Sequence, residues 1–255
     1  LADAVRGANK TVSADGSGAE VTDKSDGHLD AFTSDGFTVG AGSSSDARVN
    51  DGSHTYVAWN WLAGNGTASN GNGSITSTVS VNTTAGFSIV SYAGTGSAAT
   101  VGHGLGVAPR LIIIKNRSSS ESWRVYHGGL GATKEIYLDL TSAAGTSSSS
   151  FNDTEPTSSV FSVGTGNGTN KSSDNLIAYC FAEKQGYSKF STYEGNGSTD
   201  GTFVYTGFKP ALIIIKNTTS GHNWLMFDNK RDIDNPVSQL LMPNQSSAEQ
   251  TMGTS

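Results

Sequence analysis

The apolar residues of this chain fall in short runs separated by long polar stretches. One run, Leu111 to Ile114, contains only leucine and isoleucine and is followed by Lys115. Four consecutive apolar residues are too few for a helix, and the β-branched side chains and the nearby Pro109 favour a strand buried on both faces. The run therefore predicts a strand at the centre of a β-sheet.

The same run occurs a second time, as Leu212 to Ile215 followed by Lys216. The residues around the two copies match at one constant offset, without a gap. The matched pairs include Tyr92 with Tyr193, Pro109 with Pro210, Trp123 with Trp224 and Tyr126 with Phe227. We interpret the chain as a duplicated domain and predict that both tryptophans lie in equivalent, buried core positions.

A second kind of run alternates apolar and polar residues, as strands with one buried face do. It occurs at Tyr56 to Trp61 and again at Leu176 to Phe181, and each copy is preceded by a shorter run, Phe37 to Gly40 or Phe161 to Gly164. No stretch shows the helical period, so little helix is expected. Residues Ala63 to Thr84, mostly Gly, Asn, Ser and Thr, are interpreted as a linker that can add one edge strand.

These matches predict an all-β chain of tandem antiparallel β-sandwich modules joined by Gly/Ser/Asn-rich linkers. The predicted units are the back half of a module with a linker (1–84), a complete module (85–185) and the front half of a repeated module (186–255). That order indicates an ordered piece of a longer tandem array. A smaller match supports it: an Asp and an Arg followed by Ser-x-Ala-Glu occur as Asp3, Arg6 and Glu20, and again as Asp228, Arg231 and Glu249.

The composition excludes several classes of protein. Hydrophobic residues make up 35% and charged residues 15% of the chain, with 32 glycines, which is typical of short strands joined by many turns. Regularly spaced aromatic and β-branched clusters exclude a disordered chain. A net charge of −6 without a Lys/Arg cluster excludes nucleic acid as a partner, and no apolar run has the length required for membrane insertion.

No residue pattern predicts catalysis, a cofactor or a metal ion, so the chain is predicted not to be an enzyme. His103, His127 and His222 do not follow the repeat and are interpreted as surface or turn histidines. Asp153 and Glu155 are unrepeated loop carboxylates.

Three other features have structural interpretations. The glycines from Gly94 to Gly106 precede a strand rather than the helix that a phosphate loop needs. Lys115 and Lys216 are interpreted as solvated strand ends that guard the sheet. Cys180, the single cysteine, is interpreted as a small buried apolar side chain.

Three motifs together carry a resemblance to a known family. They are Pro109 to Asn116, Trp123 to His127, and Leu176 to Phe190, which ends in Tyr-Ser-Lys-Phe. This combination resembles a tandem repeat family of tail and tail-fibre structural proteins of marine bacteriophages. The resemblance covers nearly the whole chain and implies a virion structural protein exposed on the particle, with no active-site residues to carry over.

The expected function is therefore that of a tail-fibre or related appendage segment involved in host attachment. Loops rich in Ser, Gly and Asn beside Tyr and Trp have the composition of a binding surface, here for host surface glycans. The expected protein partners are copies of the chain itself, with a trimer as first choice, and other virion proteins. Candidate interface residues are Tyr92, Tyr193 and Phe203, although each of these aromatic side chains could instead close its own sandwich.

Two alternatives remain open at this point. The first is a secreted or virion-associated glycan-degrading enzyme, which would need two carboxylates roughly 5 to 9.5 Å apart in one cleft. The second is a bacterial surface adhesin built from the same repeats. Turnover of a host polysaccharide would identify the enzyme, and the neighbouring genes would identify the adhesin.

Overall fold

The computed structural model describes residues 1–22, 25–43, 49–233 and 235–252. It is mostly β-structure, with 31% of residues in strands and 3% in helix, and its sheets are antiparallel. The predicted all-β class and the scarcity of helix are therefore confirmed. Among the described residues, no helix is both long enough and apolar enough to cross a membrane.

The elements follow one another along the chain as short strands and two single-turn helices. They are β1 His28–Phe32, β2 Phe37–Gly40, β3 Ala68–Asn70, β4 Ser77–Asn82, β5 Phe87–Ala93, β6 Ala99–Gly102, β7 Leu111–Asn116, β8 Arg124–His127, β9 Lys134–Tyr137, β10 Gly145–Thr146, α1 Ser148–Phe151, β11 Val160–Val163, α2 Asn167–Asn170, β12 Asn175–Phe181, β13 Leu212–Ile215, β14 Leu225–Asp228, β15 Gln239–Leu240 and β16 Gln250–Thr251.

The largest sheet has eight strands in the order β10-β9-β8-β7-β12-β5-β4-β3. Strand β7, the isoleucine run, lies between β8 and β12, so Ile112 faces Tyr126 on one side and Cys180 on the other. Its central place explains its composition, because a strand that is covered on both faces has no solvent-facing positions for polar side chains. The predicted central strand is confirmed.

One face of this sheet packs against the two-stranded β6–β11 sheet and helix α1. Ile112 and Ile114 contribute from the large sheet, and Phe161 and Val163 contribute from β11. Cys180 lies in the same core and is fully buried, as predicted, and burial raises the pKa of its thiol. This two-layer arrangement forms the first hydrophobic core.

The other face of the sheet forms a second core that the N-terminal segment covers. Val12 of that segment packs with Ile177 and Tyr179 of β12. Both Trp123 and Trp224 are buried in this cluster, so the predicted burial of the repeated tryptophans is confirmed. The second core therefore brings together residues from the beginning, the middle and the end of the chain.

Residues Ala63 to Thr84 belong to the sheet rather than to a linker with one edge strand. They supply two strands, β3 and β4, at the edge next to β5. Ser77 is buried and donates to the Gly102 carbonyl at 2.7 Å, while Val79 enters the first core. Strands rich in serine and threonine lack the apolar pattern by which strands are predicted. They can still be buried, because a small hydroxyl that donates to a backbone carbonyl is buried at little cost in free energy.

The two matched strand runs have different environments. Strand β13 pairs with β14, but its other edge has no partner strand among the described residues. Ile213 is 42% exposed, whereas its counterpart Ile112 is 0% exposed. The run from Tyr56 to Trp61 was predicted to be a strand, yet it pairs with no strand in the described part of the chain. That prediction is wrong because the run lacks neighbours equivalent to β5 and β7.

Candidate functional site

Trp123 ties the N-terminal segment to the large sheet. Its indole Nε1 donates to the Ser13 carbonyl at 2.8 Å, and its backbone N–H donates to Asp139 Oδ1 at 3.1 Å. The side chain is fully buried in the second core. The indole N–H is a single donor, and the Ser13 carbonyl satisfies it. The same hydrogen bond fixes the position of the N-terminal segment on the large sheet.

Trp224 makes the same two kinds of hydrogen bond further along the chain. Its Nε1 donates to the Tyr137 carbonyl at 2.8 Å, and its backbone N–H donates to Asn244 Oδ1 at 3.0 Å. Tyr137 lies at the end of β9 in the large sheet. The repeated tryptophans thus each hold a backbone carbonyl from a segment that precedes them in the sequence.

Lys115 and Lys216 accompany the two tryptophans and reach the same segments. Lys115 Nζ donates to the carbonyls of Ser17 at 2.8 Å and Glu121 at 2.7 Å. Lys216 Nζ donates to the carbonyls of Thr141 at 2.8 Å and His222 at 2.7 Å. In each case the lysine takes the carbonyl four residues after the one that the tryptophan takes.

The prediction that these lysines are solvated strand ends is wrong for Lys115. Its side chain is buried, and burial lowers its pKa to about 8. Lys216 is half-buried, and burial lowers its pKa too. Backbone carbonyls replace water around both ammonium groups. The sequence near each lysine does not predict which carbonyls these are.

A compact turn begins the N-terminal segment and contacts β12. Asp3 Oδ1 accepts the backbone N–H of Arg6 at 3.0 Å, and Arg6 Nε pairs with Asp3 Oδ2. Glu20 accepts from Arg6 Nη1 at 3.1 Å. The Tyr179 hydroxyl donates to Asp3 Oδ2 at 2.8 Å. Burial raises the pKa of Tyr179, so the hydroxyl stays protonated and remains a donor.

A second turn with the same construction lies near the end of the described chain. Asp228 Oδ1 accepts the backbone N–H of Arg231 at 3.0 Å, and Arg231 Nε pairs with Asp228 Oδ2 at 2.6 Å. Glu249 accepts from Arg231 Nη1 at 2.6 Å. Trp59 Nε1 donates to Asp228 Oδ2 at 3.3 Å, and the Arg231 guanidinium carbon lies 5.8 Å from the centre of the Trp59 ring.

The candidate interface aromatics have two different environments. Tyr92 is 3% exposed and donates to the Thr169 carbonyl at 2.6 Å, so it closes its own core and is not an interface residue. Tyr193 is 49% and Phe203 86% exposed. Phe203 and Tyr205 line a shallow depression of about 480 Å³ formed by residues Phe203 to Pro210. The structure therefore leaves the two C-terminal candidates on the surface.

His103 and Glu155 have structural partners. His103 is buried, and its Nδ1 accepts the backbone N–H of Leu105 at 3.2 Å, so it is not a surface residue. Burial lowers its pKa. Glu155 accepts from the Tyr126 hydroxyl and from the Ala132 N–H at 2.7 Å. Within the described residues, no group of His, Cys, Asp and Glu is arranged to hold a metal ion.

A family model described as "Domain of unknown function (DUF7483)" matches residues 1–255. The chain belongs to the DUF7483 family. No curated protein matches this DUF7483 chain, and no solved structure does.

The contacts of this DUF7483 chain were only partly visible in its sequence. The repeat identified Trp123 and Trp224 as equivalent residues, and the Asp-x-x-Arg match identified the two segments that form the turns. The sequence did not give Ser13 or Tyr137, because a backbone carbonyl acts as an acceptor whatever side chain its residue carries. Tyr179 and Trp59 were matched as strand residues, but only the fold shows that each of them binds an Asp-x-x-Arg turn.

Proposed function

We propose that this chain is a structural segment of a bacteriophage tail fibre or a related virion appendage, exposed on the particle and involved in host attachment. In this proposal it consists of tandem β-sandwich modules, with units at 1–84, 85–185 and 186–255, and strands β3 and β4 at the end of the first unit complete the large sheet of the second. The observation that carries the proposal is the repeated contact in which a tryptophan and a lysine hold two carbonyls of the preceding unit. We call each such contact between two units a joint, and an appendage that transmits force needs its units to be fixed in this way.

The joints matter because Gly/Ser/Asn-rich linkers alone behave as flexible chains and transmit little force. At the first joint Trp123 is fully buried, and a buried tryptophan stabilises its surroundings by about 3 to 5 kcal/mol relative to alanine. Lys115 adds a second fixed point four residues along the docked segment. Two such points restrict both the position and the rotation of the docked unit.

Host attachment is supported by the aromatic surface of the last unit. Phe203 and Tyr205 are 86% and 75% exposed, and Thr206 and Lys209 line the same depression. Flat aromatic faces with neighbouring hydroxyl and ammonium groups offer both apolar contact and hydrogen bonds to a sugar ring. The chemistry suits host surface glycans, and further copies of the chain and other virion proteins complete the proposed set of partners.

Immunogold electron microscopy tests the structural part of the proposal. Antibodies raised against the purified chain are expected to label tail fibres or another appendage of the particles that carry this protein. Labelling confined to host cell material, with bare particles, would contradict a virion role. A particle preparation stripped of its fibres serves as the control.

Glycan binding is tested with the depression of the last unit. Phe203→Ala and Tyr205→Ala are expected to reduce binding of the purified chain to host surface polysaccharide at least tenfold each. The matched control is Tyr187→Ala, since Tyr187 is also an exposed aromatic residue but lies outside the depression. Equal binding by all three variants would exclude this surface, and turnover of the polysaccharide would show an enzyme instead.

A further inference from the structure

We propose that the Asp-x-x-Arg turns are docking elements that bind an aromatic residue on the neighbouring unit, and that the second turn closes the three units into a ring. The first turn comprises Asp3 to Arg6 and the second Asp228 to Arg231. The inference rests on the modular arrangement of the proposed function and specifies which surface each unit offers to the next one.

The two turns are built from the same set of contacts. In each, the Asp accepts the backbone N–H of the Arg three residues later and pairs with its guanidinium. In each, the guanidinium also donates to a backbone carbonyl: Arg6 Nη2 donates to Leu1 at 3.0 Å, and Arg231 Nη2 donates to Met226 at 3.1 Å. A turn that is fixed by its own contacts presents a preformed Asp oxygen to a partner, so little conformational freedom is lost on docking.

The surfaces that receive the two turns are also counterparts. Tyr179 and Trp59 occupy matching positions in the repeated strand run. The Tyr179 hydroxyl and the Trp59 indole each donate to the Oδ2 atom of the turn's aspartate, at 2.8 Å and 3.3 Å. Both aromatic groups also contact the arginine of the turn. The recognised chemistry is therefore an ion-paired Asp–Arg turn, and the receiving group is an aromatic side chain that carries one polar donor.

The contacts of Trp123 and Trp224 form the same kind of interface at two successive joints. The first turn and the carbonyls held by Trp123 and Lys115 lie on one continuous segment, residues 3–17, which docks on the unit 85–185. At the next joint the carbonyls of Tyr137 and Thr141 dock on the unit 186–255. A backbone bond supports this match: Glu20 donates to the Arg117 carbonyl and Ala144 to the Thr218 carbonyl, both at 2.9 Å.

The three joints follow one direction around the chain. The first unit docks on the second through residues 3–17, the second docks on the third through residues 137–144, and the third docks on the first through Asp228 at Trp59. A head-to-tail interface that is repeated with the same geometry forms either a ring or an open helix. Here the third contact returns to the first unit, so the three head-to-tail contacts close a ring.

Energy transfer between two dyes in the full chain tests the ring. Dyes on cysteines introduced by Ser53→Cys and Ser247→Cys report the separation of the first and third units, and buried Cys180 stays unlabelled under native conditions. Trp59→Ala and Arg231→Ala are each expected to lower the transfer efficiency by at least half. The matched control is Lys230→Ala, which removes an equal charge from the same turn but leaves the side-chain contacts to Trp59 intact.

The conservative variants separate docking from general damage to the fold. Trp59→Tyr is expected to keep the ring closed, because tyrosine is the natural residue at the first joint, whereas Trp59→Phe lacks the donor and opens it. The double variant Trp59→Ala/Arg231→Ala is expected to match either single variant. Unchanged transfer in the single alanine variants, additive losses in the double variant, or losses in Lys230→Ala would each overturn the ring. Immunogold labelling of the appendage is independent of these outcomes, so failure of the ring and failure of the virion role are distinguishable.

Discussion

At the scale of the residue, the same side chain has very different surroundings in the two copies of the repeat. Lys115 is fully buried and bonds two carbonyls, whereas Lys216 makes equivalent bonds and remains half-buried. The difference arises because the segment over Lys115 belongs to a complete core. Burial disfavours the charged ammonium form relative to the neutral amine, and this lowers the pKa of Lys115 to about 8.

We expect Lys115 to give the chain a pH-dependent stability. Its pKa is lowered in the folded state from 10.5 to about 8, so between about pH 8 and 10.5 the unfolded chain binds more protons than the folded chain. The free energy of unfolding contributed by this residue therefore rises with pH across that window. Urea unfolding at pH 7.5, 9 and 10.5 measures it.

The variant Lys115→Met is expected to lose that rise with pH. It should also be less stable than the wild type at pH 9 by about 1 to 3 kcal/mol, because the carbonyls of Ser17 and Glu121 lose their donor. Lys209→Met, at an exposed lysine, is the matched control and should keep the wild-type pH profile. If the two variants give the same profile, Lys115 is not the source of the effect.

At the scale of the element, one sequence forms a central strand in β7 and an edge strand in β13. Strand β7 has hydrogen-bonded neighbours on both sides, but β13 pairs only with β14 among the described strands. The local sequence is Leu-Ile-Ile-Ile-Lys-Asn in both cases. The distinction therefore depends on the residues that pack around each copy, because the propensity of the run itself is identical.

Truncation of matched isoleucines should measure this difference directly. Ile112→Ala is expected to lower the free energy of unfolding by about 2 to 5 kcal/mol, because it leaves a cavity in the first core. Ile213→Ala, at a position that is 42% exposed, should cost about 1 kcal/mol or less. Urea unfolding followed by tryptophan fluorescence gives both values, and equal costs would contradict the assignment of the two environments.

At the scale of the whole molecule, the cores join distant parts of the chain. The second core contains Val12, Trp123 and Trp224, so its formation brings together the first, second and third predicted units. Contacts between residues so far apart in the sequence cannot be predicted from local patterns. Tyr193 and Phe203 stay outside this core, on the surface, where another molecule can contact them.

The proposed association of copies is tested at this scale. We expect sedimentation equilibrium to give the mass of a trimer, with apolar contacts through Tyr193. The variant Tyr193→Ser should shift the mass toward a monomer, since it removes an exposed aromatic face, whereas Phe203→Ser, in the depression proposed for glycans, should not. Tyr92→Phe is the control, because Tyr92 is buried in its own core and should leave the mass unchanged. A stable monomer for the wild type at high concentration would contradict association.

The sequence by itself determined the β class, the duplicated Leu-Ile-Ile-Ile strand and the burial of Trp123 and Trp224. These properties follow from local patterns: a short β-branched run cannot form a stable helix, and a large indole that recurs at a fixed offset fits an equivalent core position. The Asp-x-x-Arg match at Asp3 and Asp228 was visible for the same reason.

Only the tertiary structure decided what surrounds each of these residues. Lys115 was predicted to be solvated because nothing near it in the sequence reveals the Ser17 carbonyl that replaces water. Tyr92 was a candidate for the surface until β12 and the Thr169 carbonyl enclosed it. Whether a residue is buried depends on which segments pack around it. Segments far apart in the sequence contact each other through backbone carbonyls and apolar faces, and neither of these identifies its partner in the sequence.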